Sequence, residues 1–413
     1  MLDGIWCVSK TYQIPKALTT MKSKLLIISQ VFEPEIGSGA NRITSIYHYI
    51  SKVFEVEVLT NEPSYPNDFV YQKQDTKKNS NITRSRAYIK HSNNMIVRLF
   101  FYAEITISAV LLAVKRSRVD IVFLSTPPLF LGLAALFVKR KKLVIDIRDL
   151  WTESLRGIRR YNNPVILCVS VFFEKMLYKR ADLIIINSEG FYEPLEQMGI
   201  CKSKIKWIPN SIEAKEFMLK NAEPSDVCKV IYSGNVGLAQ DMDMFLELAA
   251  DYLGDSSVQF EIIGYGSNYQ ALRTEMTRRN LVNINILGVQ TREETLEIVS
   301  KSDIAFVGLV EHPAFENVLP GKIVDYLGLG IPIIGQVSGY SKSIIDAANA
   351  GVTFTKDSFR QPAVARALHQ LFRNVSYRQA LAENAFTYAN KHFSASKNYQ
   401  RLADILLDTM EGK

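Results

Sequence analysis

The sequence predicts an α/β protein of two successive domains, each a doubly wound, Rossmann-like parallel sheet, facing one another across a central cleft. Three observations carry this expectation. Short β-branched runs alternate with helix-length amphipathic segments, and the alternation restarts half-way along the chain. Within the runs, apolar residues follow one another directly instead of alternating with polar ones, as in strands covered on both faces. The 413 residues, 47% apolar and 22% charged, can bury two cores of ordinary size and are too apolar for a disordered chain.

Taken in order, residues 1–21 are expected to form a flexible leader. Met1–Thr20 set Trp6 and Cys7 among polar residues and lack the apolar run of a secretory signal, and Met21 stands just before the first strand as an alternative start. The first domain is expected over 22–212, with strands at Leu25–Ser29, Val56–Leu59, Ile121–Leu124, Leu143–Ile147 and Leu183–Asn187. Ile121–Val138 is uncharged and long enough to span a bilayer, but Ser125-Thr-Pro-Pro128 interrupts it. It reads as strand, turn and short helix, and no transmembrane span is expected. Pro209–Glu213 and the polar segment Phe217–Lys229, which contains Pro224, read as the connection between domains.

The second domain, expected over 213–388, repeats the pattern with Val230–Gly234, Val258–Gly264, Ile284–Leu287, Ile304–Val307 and Ile331–Gly335. Arg378–His392 and Ser396–Met410 read as helices, and residues 389–413 are expected to return across the first domain as a last helix.

Lys and Arg total 49 against 42 Asp and Glu, a net charge of +7 that favours an anionic partner. The charge is concentrated: residues 70–188 hold 21 Lys/Arg against 8 Asp/Glu. Met95–Val114 is strongly apolar, interrupted by Arg98 and Glu104 and followed by Lys115-Arg-Ser-Arg118, and Leu129–Val138 ends in Lys139-Arg-Lys-Lys142. An apolar helix with a basic end suits the interface of an anionic membrane, and equally a helix covering a sheet with a solvated basic turn. No aromatic-interleaved basic groove accompanies the charge, so no nucleic-acid partner is expected. The four cysteines include no CxxC pair and the five histidines no HxxxH or HxH pair, which argues against a disulfide framework and a metal site and for a reduced, intracellular setting.

Four segments could carry chemistry. The first strand leads into Phe32-Glu-Pro-Glu-Ile-Gly37-Ser-Gly39-Ala-Asn-Arg42 and then a helix, a glycine turn whose amides could approach a diphosphate at the positive helix end. Arg42 stands where a dinucleotide fingerprint requires its third glycine, which weighs against hydride transfer. Asp146-Ile-Arg148-Asp149-Leu-Trp151-Thr-Glu153 lies at the carboxyl end of a strand, where ligands of open α/β sheets bind, and Asp149 is the candidate for hydrogen bonding to a sugar hydroxyl. Gly234-Asn235-Val-Gly237-Leu-Ala-Gln240 and Gly264-Tyr265-Gly266 are two more glycine turns between strand and helix. In Asn317-Val-Leu-Pro320-Gly321-Lys322-Ile-Val-Asp325, a helix opens with Lys322 in its first turn, where the macrodipole disfavours a cation by ~1 kcal/mol or less unless an anion binds there. Asp325, one turn on, could accept from ribose hydroxyls.

These residues resemble the retaining family-four glycosyltransferases of the two-domain GT-B fold, in particular the bacterial branch that builds O-antigen, capsule and colanic-acid-like polysaccharides. The resemblance runs from Leu25 to about Tyr388, carried by FEPEIGSGANR, DIRDLWTES, ADLIIINSEG, IPNSI, YSGNVGLAQ, IIGYGS and NVLPGKIVDYLGLGIPII. It implies donor binding mainly in the second domain, acceptor binding mainly in the first, and transfer in the cleft. The family's Glu-x7-Glu signature reads Asn317 and Asp325 here, and its diphosphate-binding Arg and Lys read Asn235 and Gln240, neither of which carries charge. Lys322 then becomes the candidate for the missing cation. Asp149 takes the place of the family's catalytic His.

On this resemblance the catalytic candidates are Asp149, Asn317 and Lys322. The donor candidates are Gly37, Gly39, Gly234, Asn235, Gln240, Gly264, Tyr265, Gly266, Pro320, Gly321 and Asp325, and the acceptor candidates are Arg42, Arg148 and Trp151. The expected activity moves a hexose or N-acetylhexosamine-type sugar from a UDP-sugar to a lipid-linked glycan, without metal or cofactor, by a cytoplasmic protein peripheral to the inner face of the plasma membrane. A UDP-sugar 2-epimerase and a non-catalytic scaffold of a polysaccharide assembly complex are the other readings.

Overall fold

The computed structural model describes residues 22–66, 69–71, 80–89, 95–158, 163–217, 219 and 226–412, with backbone alone for Met95, Ile96, Arg98 and Leu99. The expected leader, most of the polar segment around Pro224 and the Arg98 side chain lie outside the described residues.

The first sheet is built from β1 (Lys24–Ile28), β2 (Glu55–Asn61), β3 (Ile82–Ser85), β4 (Val119–Thr126), β5 (Arg140–Ile147), β6 (Leu183–Ile186) and β7 (Ile205–Trp207). All seven are parallel, in the order β3-β2-β1-β4-β5-β6-β7. Its helices are α1 (Ser38–Ile50), α2 (Met95–Val114), α3 (Gly132–Phe137), α4 (Trp151–Gly157), α5 (Pro164–Arg180) and α6 (Tyr192–Gln197). The second sheet contains β8 (Cys228–Asn235), β9 (Val258–Tyr265), β10 (Ile284–Gly288), β11 (Ile304–Gly308), β12 (Ile333–Gln336) and β13 (Gly351–Phe354), again all parallel, in the order β10-β9-β8-β11-β12-β13. Around it lie α7 (Asp243–Asp251), α8 (Tyr269–Arg278), α9 (Arg292–Ser300), α10 (Pro313–Glu316) and α11 (Gly321–Gly328). They are followed by α12 (Gly339–Ala347), α13 (Pro362–Arg373), α14 (Val375–His392) and α15 (Ala395–Glu411). In each sheet the strand order reverses beside the first strand, between β1 and β4 and between β8 and β11, and such switch points open a crevice at the carboxyl ends of the strands.

Each sheet has a core on both faces. Leu25, Ile27, Val58, Ile121 and Val144 point to one side of the first sheet, while Leu26, Ile28, Val122 and Ile145 point to the other. The three strands that the apolar runs do not announce, β3, β7 and β13, are all edge strands of three or four residues. A sheet edge carries half the burial of a central strand, so its sequence holds fewer apolar residues.

The chain leaves the second domain at Phe393–Ser394 and α15 crosses to α1. Ala395, Tyr399, Leu402 and Leu406 are buried there against Ile43, Ile46 and Leu25. Burying a Leu side chain contributes about 1.5–3 kcal/mol, so this face of the first domain depends on residues that arrive last in the sequence.

No helix among the described residues is long and apolar enough to cross a membrane. Ile121–Val138 forms β4, a 3-10 turn (Leu129–Leu131) and α3. The run 139–142 is not a free basic turn: Arg140, Lys141 and Lys142 open β5. The Arg140 guanidinium donates to the carbonyls of Ala135 and Val138 at the end of α3, while Lys141 pairs with Asp120 and Lys142 with Asp182. Glu104, which interrupts the apolar face of α2, accepts from the amides of Tyr88 and Ile89 and ties down the approach to that helix.

Candidate active site

The two crevices face each other and enclose a cavity of about 750 Å³, within the usual size of a small-molecule site. Gly37, Ser38, Gly39, Tyr65, Arg148 and Asp149 line it from the first domain. From the second come Gly234, Asn235, Gln240, Tyr265, Gly266, Pro320, Gly321, Lys322 and Asp325.

Among the helices that begin at this cavity, one from each domain meets the other end to end. α1 starts after Gly37 and α11 after Pro320, and neither has a side-chain cap or an acidic residue in its first turn. Free N–H groups and the positive end of each dipole therefore face the same space. The two ends pack closely: a side chain on Gly321 would run into Ser38. Gly37, at φ +146°, occupies backbone space that other residues rarely adopt. Together the ends form a bed for an anion.

Lys322 sits in the first turn of α11. Tyr326, one turn on, is fully buried and its hydroxyl meets the amide and hydroxyl of Ser233 at 3.0 Å, which fixes the helix against the end of β8. The Lys322 ammonium lies 3.8 Å from the centre of the Tyr232 ring, buried and without a hydrogen-bond partner. Burial pushes its pKa down to about 7, with Asp325 opposing the shift. A desolvated cation over an aromatic face, in a cavity where two helix N-termini meet, is poised to take an anion.

Across the cavity, burial raises the Asp149 carboxyl to about 6, with neighbouring Arg148 pulling it down. Arg148 is itself pushed below its ordinary value by burial, donates to the carbonyls of Thr126 and Pro127, and fills the space that a side chain on Gly39 would need. Beside it Glu35 is driven up to about 8 by burial, although it accepts from the Tyr65 amide at 3.2 Å. Glu35 thereby holds the loop that carries Tyr65, whose hydroxyl donates to Asn235 at 2.9 Å and whose ring packs edge-on against Tyr265.

Asp325 is engaged by Arg292, the first residue of α9, at 3.0 and 3.3 Å. Gln240 lines the cavity with its side-chain oxygen buried and unpartnered, and so does Asn187 at the end of β6. Among the described residues no group of three His, Cys, Asp or Glu could hold a metal ion.

Comparison with known proteins places these features in a family. Residues 42–216 match the model of Glycosyltransferase Family 4. A protein of Escherichia coli (strain K12) assigned to colanic acid biosynthesis as glycosyl transferase WcaI is 22% identical over 345 residues, 77% of this chain and 84% of the relative. The first domain thus matches the family-four glycosyltransferases, and the whole chain shares the two-domain GT-B fold. Sucrose-phosphate synthase from Thermosynechococcus elongatus superposes with a TM-score of 0.71 at 13% identity, covering 95% of this chain and all of the other. Anabaena Alr3699/HepE, solved in complex with UDP and glucose, superposes with a TM-score of 0.68 at 15% identity, covering 94% of this chain and all of that one. These likenesses show the shared fold.

Four residues expected at the site do not line this cavity. Arg42 does not line the cavity: it is 3% exposed, its guanidinium donates to Asp146 at 2.7 Å and to the Ile208 carbonyl at 2.8 Å, and it ties α1 to β5 and to the start of the connection between domains. Trp151 turns inward, its ring against Tyr102 and its amide on Glu174. Asn317 ends α10 on the seam between domains, where its carbonyl accepts from Ser188, and it does not line the cavity. Gly264 is enclosed in β9 by Val236, Ile262 and Tyr269, leaving the wall to Tyr265 and Gly266.

Conversely, the cavity includes Tyr65, Asn187 and Arg292, which the sequence reading does not single out. Only Arg292 carries a local signal. Like Lys322, it is a cation in the first turn of a helix, where the dipole disfavours it.

Proposed function

We propose that this glycosyltransferase moves a hexose or N-acetylhexosamine-type sugar from a UDP-sugar, with retention at the anomeric carbon, to a lipid-linked glycan of a bacterial surface polysaccharide. The observation that carries the reading is the unpartnered Lys322 ammonium in the cavity where two uncapped helix N-termini meet. Support for uridine comes from HepE, solved with UDP and glucose, and for the polysaccharide from WcaI, assigned to colanic acid biosynthesis.

On this reading the donor diphosphate lies against the amides of α1 and α11 and pairs with Lys322, while Asp325 accepts from the ribose hydroxyls. As the bond from the anomeric carbon to the diphosphate oxygen breaks, negative charge gathers on that oxygen, where donors already oriented stabilise it by ~2.7–4 kcal/mol each. The acceptor hydroxyl attacks from the face being vacated, forms the new C–O bond and gives its proton to the leaving diphosphate. Asp149 and Arg148, on the opposite wall, hold the sugar and acceptor hydroxyls. Side chains and amides thus meet the diphosphate charge, and the transfer is metal-independent.

A lipid-linked acceptor implies access to a membrane, and the first domain presents a suitable face. Val97, Phe100, Ile107, Leu111 and Val114 form an exposed apolar stripe along α2, with Phe137 of α3 and Val165, Val169 and Phe172 of α5 also exposed. Lys115, Arg118, Lys139, Lys175 and Lys179 are exposed on the same elements or just beyond their ends. On this reading the protein is peripheral, on the inner face of the plasma membrane, where each basic residue near an anionic surface adds ~1 kcal/mol.

The test is incubation with radiolabelled UDP-sugars and lipid-linked acceptors. An elongated glycolipid carrying the donor's anomeric configuration, read by NMR, is expected. Label returning as an isomeric UDP-sugar would mean an epimerase, and binding without turnover a scaffold.

A further inference from the structure

We propose that Arg292 is a positioning residue that couples the segment joining the two domains to the carboxylate holding the donor's ribose. The inference rests on the reading of Asp325 given above.

Arg292 opens α9, whose N-terminus is already completed by a reciprocal capping box between Thr291 and Glu294. The helix gains nothing from a cation there, so its place is explained by what it touches. Its guanidinium lies between two carboxylates from distant parts of the chain. Nε and Nη2 donate to Glu216 at 2.8 and 3.1 Å, and Nη1 and Nη2 donate to Asp325 at 3.3 and 3.0 Å. Two forked pairs on one planar group fix both partners in orientation as well as in charge, which a lysine cannot reproduce.

Glu216 is not a cavity residue. It belongs to the short turn Ala214–Glu216 in the joining segment and accepts from the Glu213 amide at 3.0 Å. Glu213 in turn accepts from the Tyr49 hydroxyl on α1 at 3.1 Å. Polar contacts therefore run without a gap from α1 of the first domain, through Glu213 and Glu216, to Arg292 and Asp325 in the second. A rotation of the domains turns this segment and moves Glu216. Arg292 follows, and the Asp325 carboxylate is presented to the cavity or withdrawn from it. Closure of the cleft and grip on the nucleoside are thus two readings of one arrangement.

The experiment is a double-mutant cycle on the full chain, with UDP binding by titration calorimetry and donor KM and kcat from initial rates. Asp325→Asn is expected to weaken UDP binding at least tenfold. Glu216→Gln, close in shape and outside the cavity, is expected to weaken it three- to tenfold and to raise donor KM with kcat within twofold. In the Asp325→Asn background Glu216→Gln is expected to add nothing, and Arg292→Lys is expected to behave like Glu216→Gln instead of like wild type. If Asp325→Asn weakens binding but Glu216→Gln is silent, or if the two losses multiply, the coupling is refuted while the ribose reading stands. If Asp325→Asn leaves UDP binding unchanged, the ribose reading itself fails and takes the coupling with it. Should Arg292→Lys fail to fold, by circular dichroism and melting, the cycle on Glu216 and Asp325 decides alone.

Discussion

The ammonium of Lys322 stands 3.8 Å from the centre of the Tyr232 ring and makes no hydrogen bond. A buried cation in this position costs stability until an anion arrives, because the ring compensates only part of the lost hydration. The unpaired cation therefore strains the ligand-free protein.

Replacing the cation should separate stability from activity. Lys322→Met removes the buried charge and is expected to stabilise the ligand-free protein by on the order of 1–2 kcal/mol at pH 6, read as a higher melting temperature. It should lower kcat/KM for the donor by roughly two to three orders of magnitude, as loss of a well-placed electrostatic donor does. A variant with unchanged kinetics would remove Lys322 from the mechanism.

The pH dependence follows with a definite sign. With its pKa near 7, Lys322 is charged below that value and neutral above it, so UDP affinity should fall as pH rises through about 7. Binding should take up a proton above that pH, seen by calorimetry in buffers of different ionisation enthalpy. An unfolded chain holds this proton up to the ordinary lysine value of 10.5. The ligand-free protein should therefore gain stability between about 7 and 10.5, the penalty being fully present below 7. Lys322→Arg keeps its charge throughout and should flatten the binding profile.

Asp149 is expected to set the acid limb of the pH profile. Its pKa is raised to about 6 by burial, so the ionised form, and with it kcat, should grow as pH rises through 6. Asp149→Asn is expected to lower kcat and to abolish that limb, and an unaltered acid limb would assign it to another group.

Arg42 and Asp146 are expected to matter for folding. Removing one partner of a buried, forked ion pair leaves the other uncompensated, which typically costs 3–5 kcal/mol. Asp146→Asn should therefore lower the urea midpoint sharply. In whatever fraction stays folded, acceptor KM should be unchanged.

Tyr65 and Asn235, both lining the cavity, join the two domains by a hydrogen bond. Tyr65→Phe forfeits about 1 kcal/mol of this contact. An increase of donor KM of up to about fivefold is expected, together with a larger radius of gyration in small-angle scattering of the UDP complex.

The architecture was legible because its central strands are buried on both faces and must be written as unbroken apolar runs, such as Leu25–Ile28 and Ile184–Ile186. Lys322 was legible for a related reason: a cation in the first turn of an uncapped helix contradicts the local electrostatics, and a contradiction of that kind points to a ligand. Arg42 and Trp151 were misplaced because their neighbours in sequence line the cavity, and a shift of one or three residues along a helix or turn reverses the direction of a side chain. Local pattern by itself therefore determined two parallel sheets, glycine turns at their carboxyl ends and one misfit lysine. Only tertiary structure decided that α1 and α11 meet end to end, that Arg42 is spent on Asp146, and that Arg292 bridges Glu216 and Asp325. Those pairings join residues 33 to 283 positions apart, and no periodicity of a strand or helix reaches so far.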